Sequence, residues 1–260
     1  MDLVLIGLVA FLISGLTLFS GFGLGTVLMP VFALFFPVPL AIAATAVVHF
    51  ANNIFKFGLM VKHANWQAVT RFSIPAALAA LAGAVLLNML DRMPLLGSYA
   101  LGGSTFEITA VKTAIGILIV FFALLELSPW FQKLTLPPRW LPLGGALSGF
   151  FGGLSGNQGA LRSAFLLKAG LSKDAFVATG VVSAVFVDAT RLMVYGTEFL
   201  SGHFTKSQEL ITPIVVGTIC AFTGAFAGKR FLQRVTLKAV RVTVAAAMLL
   251  IGSGLLVGFM

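Results

Sequence analysis

Long apolar runs, broken by short polar or glycine-rich stretches, dominate this chain. Read by hydropathy, they fall into ten segments: 3–19, 24–36, 39–60, 71–90, 108–128, 140–154, 159–170, 174–197, 210–228 and 239–259. A helix needs about 20 residues, at ~1.5 Å each, to cross a bilayer. Segments 24–36, 140–154 and 159–170 fall short of that length, and 3–19 is borderline. The short ones pair up across glycine-rich turns at 20–25 and 155–159, so each pair reads as a helical hairpin dipping into the membrane, or as a discontinuous helix. Non-helical backbone at that depth is tolerated only where protein or a wet cavity surrounds it.

A second pattern overlies the first. Ser20-Gly21-Phe22-Gly23-Leu24-Gly25 is followed by Asn53 and Lys56, and Ser155-Gly156-Asn157-Gln158-Gly159 by Asp188 and Arg191. Ser20 to Asn53 is 33 residues and so is Ser155 to Asp188, and both polar pairs are spaced i, i+3. A fixed-period recurrence of this kind in an apolar chain marks an internal repeat, and broken helices from two repeats characteristically meet at a transport site.

Composition settles the class. The chain is 59% hydrophobic and 10% charged, against about 25% charged in a soluble domain. The expected fold is therefore an all-α polytopic membrane protein surrounded by lipid, each repeat supplying one hairpin and three transmembrane helices. Lys and Arg number 17 against 8 Asp and Glu, a formal charge of +9. In a membrane protein such an excess marks cytoplasmic loops rather than nucleic-acid binding. Basic residues cluster at 61–71, 129–139, 168–174 and 229–241, whereas 91–107 and 198–209 are nearly balanced. With the former inside, segment 39–60 runs inward and 174–197 outward. The halves 1–128 and 140–260 then have inverted topology about a proline-containing linker, 129–139, and both chain ends fall outside. The sequence Met1-Asp2-Leu3 has no basic n-region of a signal peptide. Cys220 is the only cysteine, so no disulfide framework, thiolate metal cluster or bound cofactor is expected.

Four ionisable residues lie inside apolar spans: Lys56, Arg162, Asp188 and Arg191. Each costs about 2.5–3.5 kcal/mol at a helix centre, so they must face protein or water. Three cations against one carboxylate leave a positive surplus that a mono- or dianion would neutralise. The opposing, purely structural reading is an ion-pair network of Asp188 with Arg191 and Arg162, with Lys56 snorkelling to the interface. Half-helix N-termini at the two turns add amide donors, Ser20 and Ser155 stand where N-cap hydroxyls are useful, and Gly21, Gly23 and Gly156 permit close approach of a ligand. Gly149 and Gly153 also read as a GxxxG packing face. His49, Asn52, Asn53 and Lys56 share one face of a helix, while Asn157, Gln158 and Arg162 bring amide and guanidinium donors from the second half. Arginine suits oxyanions because its fork binds two oxygens together. Lys112 and Arg241 read as interfacial anchors, and Pro75 and Pro213 as first-turn prolines.

Ser20–Gly25, Phe36-Pro37-Val38-Pro39-Leu40-Ala41-Ile42-Ala43 and His49–Lys56 resemble the first half of TauE/SafE-type sulfite exporters. Ser155–Ser163 is similar to the matching motif of the second half, although many members carry further glycines where this chain has Asn157-Gln158. The resemblance covers essentially the whole chain. It implies an inner-membrane permease for sulfite, organosulfonates or related sulfur anions, working in the export direction. An anion channel on the same scaffold is the alternative. A membrane-embedded enzyme lacks any HExxH pair, nucleophile elbow or phosphate loop.

Overall fold

The computed structural model describes residues 3–20, 23–133, 136–167, 169–200, 207–231 and 237–259. Apolar runs become helices because, in lipid, a backbone must satisfy its own hydrogen bonds. The first half gives α1 (Leu3–Ser20), α2 (Leu24–Ala33), α3 (Val38–Met60), α4 (Trp66–Asp91) and α5 (Ala110–Leu127). A short α6 (Pro129–Lys133) opens the connection to α7 (Leu141–Ser155), α8 (Gly159–Leu167), α9 (Lys173–Leu200), α10 (Ile211–Phe231) and α11 (Leu237–Leu256). The protein is an all-α, multi-pass membrane protein. Among the described residues, five helices have the length and hydropathy to cross a membrane: Val38–His63, Trp66–Asp91, Ala110–Leu127, Lys173–Thr197 and Ile211–Gly228.

The short pairs are separate helices joined at glycine, as the hydropathy pattern predicts. α7 ends where Gly156 adopts φ 78°, a left-handed cap that lets the chain reverse. α2 starts after Gly23, at φ 127°. All ten residues of α2 are buried, so it is enclosed by protein rather than lipid. Pro37 precedes α3 and proline occupies its first turn, where no backbone donor is lost.

Two expectations change. α4 begins at Trp66 rather than 71, because the Asn65 side chain accepts from Ala68 N at 2.9 Å and caps the helix early. Pro75 therefore lies inside α4, not in its first turn, and one helical hydrogen bond is absent there. The stretch 91–107, read as a loop, contains an antiparallel hairpin of β1 (Gly97–Leu101) and β2 (Ser104–Ile108). Its turn residues Gly102 and Gly103 have φ 61° and 83°, as a tight two-residue hairpin turn requires. Tyr99 stacks on Phe106 at 5.3 Å and Phe106 on Phe259 at 5.6 Å, fastening the hairpin to the end of α11.

Helix packing runs largely between the two halves. α4 lies against α7, α1 against α10, α5 against α11, and α3 against α9. Small residues make these approaches close. A Cβ on Gly145, Gly149 or Gly153 of α7 would overlap the carbonyl oxygens of Phe72, Ala76 and Ala80 of α4. On the opposite flank, Gly224 and Gly228 of α10 meet Phe11 and Gly15 of α1 in the same way. Lipid tails give helices no hydrophobic reason to associate, so backbone-to-backbone packing of this kind is what holds them. Large side chains such as Leu78, Met89, Phe226 and Leu250 point outward, forming an apolar exterior.

Candidate functional site

α3 packs against α9 and brings the intramembrane polar residues together. On α3, His49, Asn52, Asn53 and Lys56 lie at helical spacing on one buried face. α9 carries Asp188 and Arg191 opposite that face, both with fully buried side chains. Asp188 is the hub. Its Oδ1 accepts from Arg191 Nη2 at 2.8 Å, Arg191 Nε at 3.0 Å and Gln158 Nε2 at 2.9 Å. Its Oδ2 lies 2.6 Å from His49 Nδ1 and accepts from Asn53 Nδ2 at 3.4 Å. A buried carboxylate is tolerable only with this degree of pairing and hydrogen bonding. Arg191 also donates to the Gly152 carbonyl at 3.2 Å, and the Tyr195 hydroxyl, one turn along α9, donates to that of Gly153.

Lys56 has a different environment. It is 4% exposed and donates to Thr17 Oγ1 at 2.9 Å. Thr17 in turn donates to the Ser14 carbonyl at 2.8 Å, and Ser14 Oγ donates to Asn52 Oδ1 at 3.1 Å. The lysine therefore points inward to a polar track on α1 and does not snorkel.

A cavity opens beside this lysine. Thr17, Gly23, Leu24, His49, Asn52, Asn53, Lys56, Arg162, Val177 and Val181 line it. It leaves about 20 Å³ to the centre of a water-sized sphere, room for roughly one or two waters. Two cations and no carboxylate stand in its wall among the described residues. The carboxylate of Asp188 is turned to His49, Asn53, Gln158 and Arg191 instead. Such a site can hold a small anion by charge and by side-chain donors.

Of the residues singled out in the sequence, Gly23, His49, Asn52, Asn53, Lys56 and Arg162 reach the cavity. Asp188, Arg191 and Gln158 form the adjoining buried cluster, behind His49 and Asn53. Gly156 and Asn157 belong to the second turn. There the Gly156 carbonyl faces α2, 3.4 Å from the position of a Cβ on Gly25. Ser155 does not cap α8. It is the last residue of α7, and its hydroxyl donates back to the Phe151 carbonyl at 2.9 Å while accepting from Asn157 N at 3.4 Å. The Ser20 side chain and Gly21 lie outside the described residues, as does the Arg241 side chain. Lys112 donates to the Glu107 carbonyl at the end of β2.

Sequence reasoning overlooked Thr17, Ser14, Leu24, Val177 and Val181 in and around the site. For Ser14 and Thr17 the signal was available: two hydroxyls at i, i+3 within an apolar run, the same spacing that drew attention to Asn53 and Lys56. Of the three apolar residues, Leu24 lies within the first glycine motif, while Val177 and Val181 carry no such mark.

Neither the curated proteins nor the solved structures gave a match. Among known families, the description Sulfite exporter TauE/SafE matches residues 3–255, nearly the whole chain. A membrane bundle with buried cations around a small cavity is in keeping with a transporter family, and the chain belongs to the sulfite exporter TauE/SafE family.

Proposed function

We propose that this protein is a secondary transporter that exports a small sulfur oxyanion, sulfite first, across the inner membrane. The anion occupies the cavity beside Lys56. Lys56 and Arg162 supply charge, and Thr17, Asn52 and His49 help to orient its oxygens. The observation that carries this reading is a cavity with two cations and, among the described residues, no carboxylate in its wall, in a chain of a sulfite-exporter family.

The mechanism is alternating access between two inverted repeats, 1–128 and 140–260, joined by 129–139. Three matched contacts support it. Lys56 of α3 is held by Thr17 of α1, and Arg191 of α9 by Gly152 of α7. Each member of the second pair lies 135 positions after its counterpart in the first. Asn53 and Asp188, also 135 positions apart, touch one another, as equivalent residues must where a two-fold axis passes between them. The exchange of partners, α1 on α10 and α7 on α4, follows the same symmetry. On the orientation that the loop charges predict, Val177 and Val181 belong to the cytoplasmic half of α9, which favours loading from the cytoplasm, as an exporter requires. In the opposite-facing conformation Arg191 would leave Gly152 and take the part that Lys56 plays here.

The test is sulfite flux into proteoliposomes. Lys56→Met and Arg162→Met are expected to abolish saturable flux while the protein remains monodisperse. Undiminished flux in both variants would refute the site.

A further inference from the structure

The hairpin of β1 and β2 takes no part in the proposed anion site, and its two faces differ in character. Side chains alternate across a strand, and the pairing sets Tyr99 opposite Phe106, Leu101 opposite Ser104 and Gly97 opposite Ile108. One face therefore carries Tyr99, Leu101, Phe106 and Ile108, and the other Ser98, Ala100, Thr105 and Glu107. The fold leaves much of the apolar face uncovered. Tyr99 and Phe106 stack with Phe259, and the Tyr99 hydroxyl donates to the Val257 carbonyl. Even so, Phe259 stays 67% exposed and Leu101 69%. In water, a contiguous apolar patch at a fixed element calls for a covering.

The position of the hairpin indicates what that covering is. It joins two membrane-spanning helices, since α4 ends at Asp91 and α5 begins at Ala110. It also rests on the end of α11. There Gly258, at φ 70°, runs so close beneath β2 that an added Cβ would come 2.7 Å from the Glu107 carbonyl oxygen. The exposed apolar side chains continue from the hairpin down these same helices, through Met89 of α4, Phe121 of α5 and Leu250 of α11. Arg92 and Lys112 stand at the hairpin's base, next to the ends of α4 and α5. Basic side chains at helix ends extend toward the headgroups while their stems lie along apolar surface.

A second copy of the chain fits this face poorly. Each strand has five residues. At about 3.3 Å per residue, on two strands about 4.8 Å apart, the face measures roughly 200 Å². A stable interface buries about 800 Å² on each partner.

We infer that the β1–β2 hairpin is a membrane-surface element. Its apolar face, with Phe259, seats at the boundary between lipid headgroups and acyl chains, and Ser98, Thr105 and Glu107 face water. An amphipathic element that does not span binds there through the apolar area it buries, to a depth of about 5–10 Å. The seat holds the ends of α4, α5 and α11 at one level of the bilayer. It does not depend on the anion site.

The experiment uses the full chain in liposomes. Cys220 is the only cysteine, so Cys220→Ala provides a background for single spin labels. Labels are attached through Leu101→Cys and Phe259→Cys on the apolar side, and through Thr105→Cys on the polar face. Power saturation then reads collisions with oxygen, which concentrates in lipid, and with a nickel chelate, which stays in water. The oxygen-to-nickel ratio at positions 101 and 259 is expected to exceed that at 105 by about fivefold or more. Phe259→Cys lies at the end of the chain and carries the test alone if Leu101→Cys does not fold. Ratios within about twofold of that at 105 would put the face in water and overturn the inference. Low collision rates with both reagents would show protein covering the face, a second copy included, and would overturn it equally.

Discussion

Asp188→Asn offers a sharp test of the central cluster. In the folded protein both partners of the Asp188–Arg191 pair are fully buried, and the guanidinium makes two bonds to Oδ1, at 2.8 and 3.0 Å. Asparagine retains the shape and one acceptor oxygen but removes the charge. Breaking a buried pair from one side costs about 3–5 kcal/mol, because the surviving ion remains buried without compensation. At about 2–4 °C per kcal/mol for a chain of this size, the unfolding midpoint of the purified protein should fall by roughly 6–20 °C. Surface screening provides no relief, since neither side chain reaches solvent. The second arm is Asp188→Asn/Arg191→Met. Removing both charges eliminates the orphan, so the double variant should recover at least half of the lost midpoint even though it lacks more native contacts. Differential scanning fluorimetry in detergent reads all three proteins. A single variant within about 2 °C of the parent, or a double variant less stable than the single, would refute the claim that the pair is a dry, obligatory ion pair.

Other expectations follow from particular contacts. Thr17→Val keeps the shape of the side chain but removes the acceptor that holds Lys56 Nζ at 2.9 Å. A hydrogen bond to a charged group is worth about 1.5–3 kcal/mol, so the half-saturation concentration for sulfite flux should rise about tenfold or more. Gly149→Ala would drive a methyl into the Ala76 carbonyl and push α7 from α4; a loss of about 1–3 kcal/mol should appear as a lower unfolding midpoint. Gly58→Ala is the control: that glycine sits in α3 with nothing within 4 Å of an added Cβ, and the change should stabilise by up to about 1 kcal/mol through helix propensity. Gly102→Val and Gly103→Val, at φ 61° and 83°, should each weaken protection of the β1–β2 amides in hydrogen exchange, because branched residues resist that backbone region.

Much of this protein was written in its hydropathy. Segment 39–60 became α3 (Val38–Met60), and the glycine turn at 155–159 separated α7 from α8. In lipid a continuous apolar run has little choice but to be a helix, and glycine is what permits a reversal between two short ones. The hairpin at 97–108 was also legible, in two consecutive glycines flanked by strand-forming residues, but a loop reading based on hydropathy passes over it. The family resemblance rested on motifs local in sequence, and the match over residues 3–255 bears it out.

The sequence by itself thus determined the class, the helices and the inventory of buried charges, because each follows from the cost of placing local residues in a bilayer. It left two fates open for those charges, an ion-pair network or a ligand site. The i, i+3 pair within α9 closes on itself, and the tertiary structure decided the rest by setting Lys56 against α1 and a cavity. Arg191 meets Asp188 and is matched within the protein, while Lys56 meets Thr17 and, together with Arg162, faces a cavity. Lys56 and Arg191 look equivalent in the repeat pattern, with the same spacing to a polar neighbour and the same apolar surroundings. Their holding contacts come from helices 39 residues away in sequence, Thr17 on α1 for one and Gly152 on α7 for the other, and what sets them apart is the neighbour three residues back, Asn53 for Lys56 and Asp188 for Arg191. No local pattern encodes contacts of that range, nor the apolar wall of Leu24, Val177 and Val181 that closes around the site.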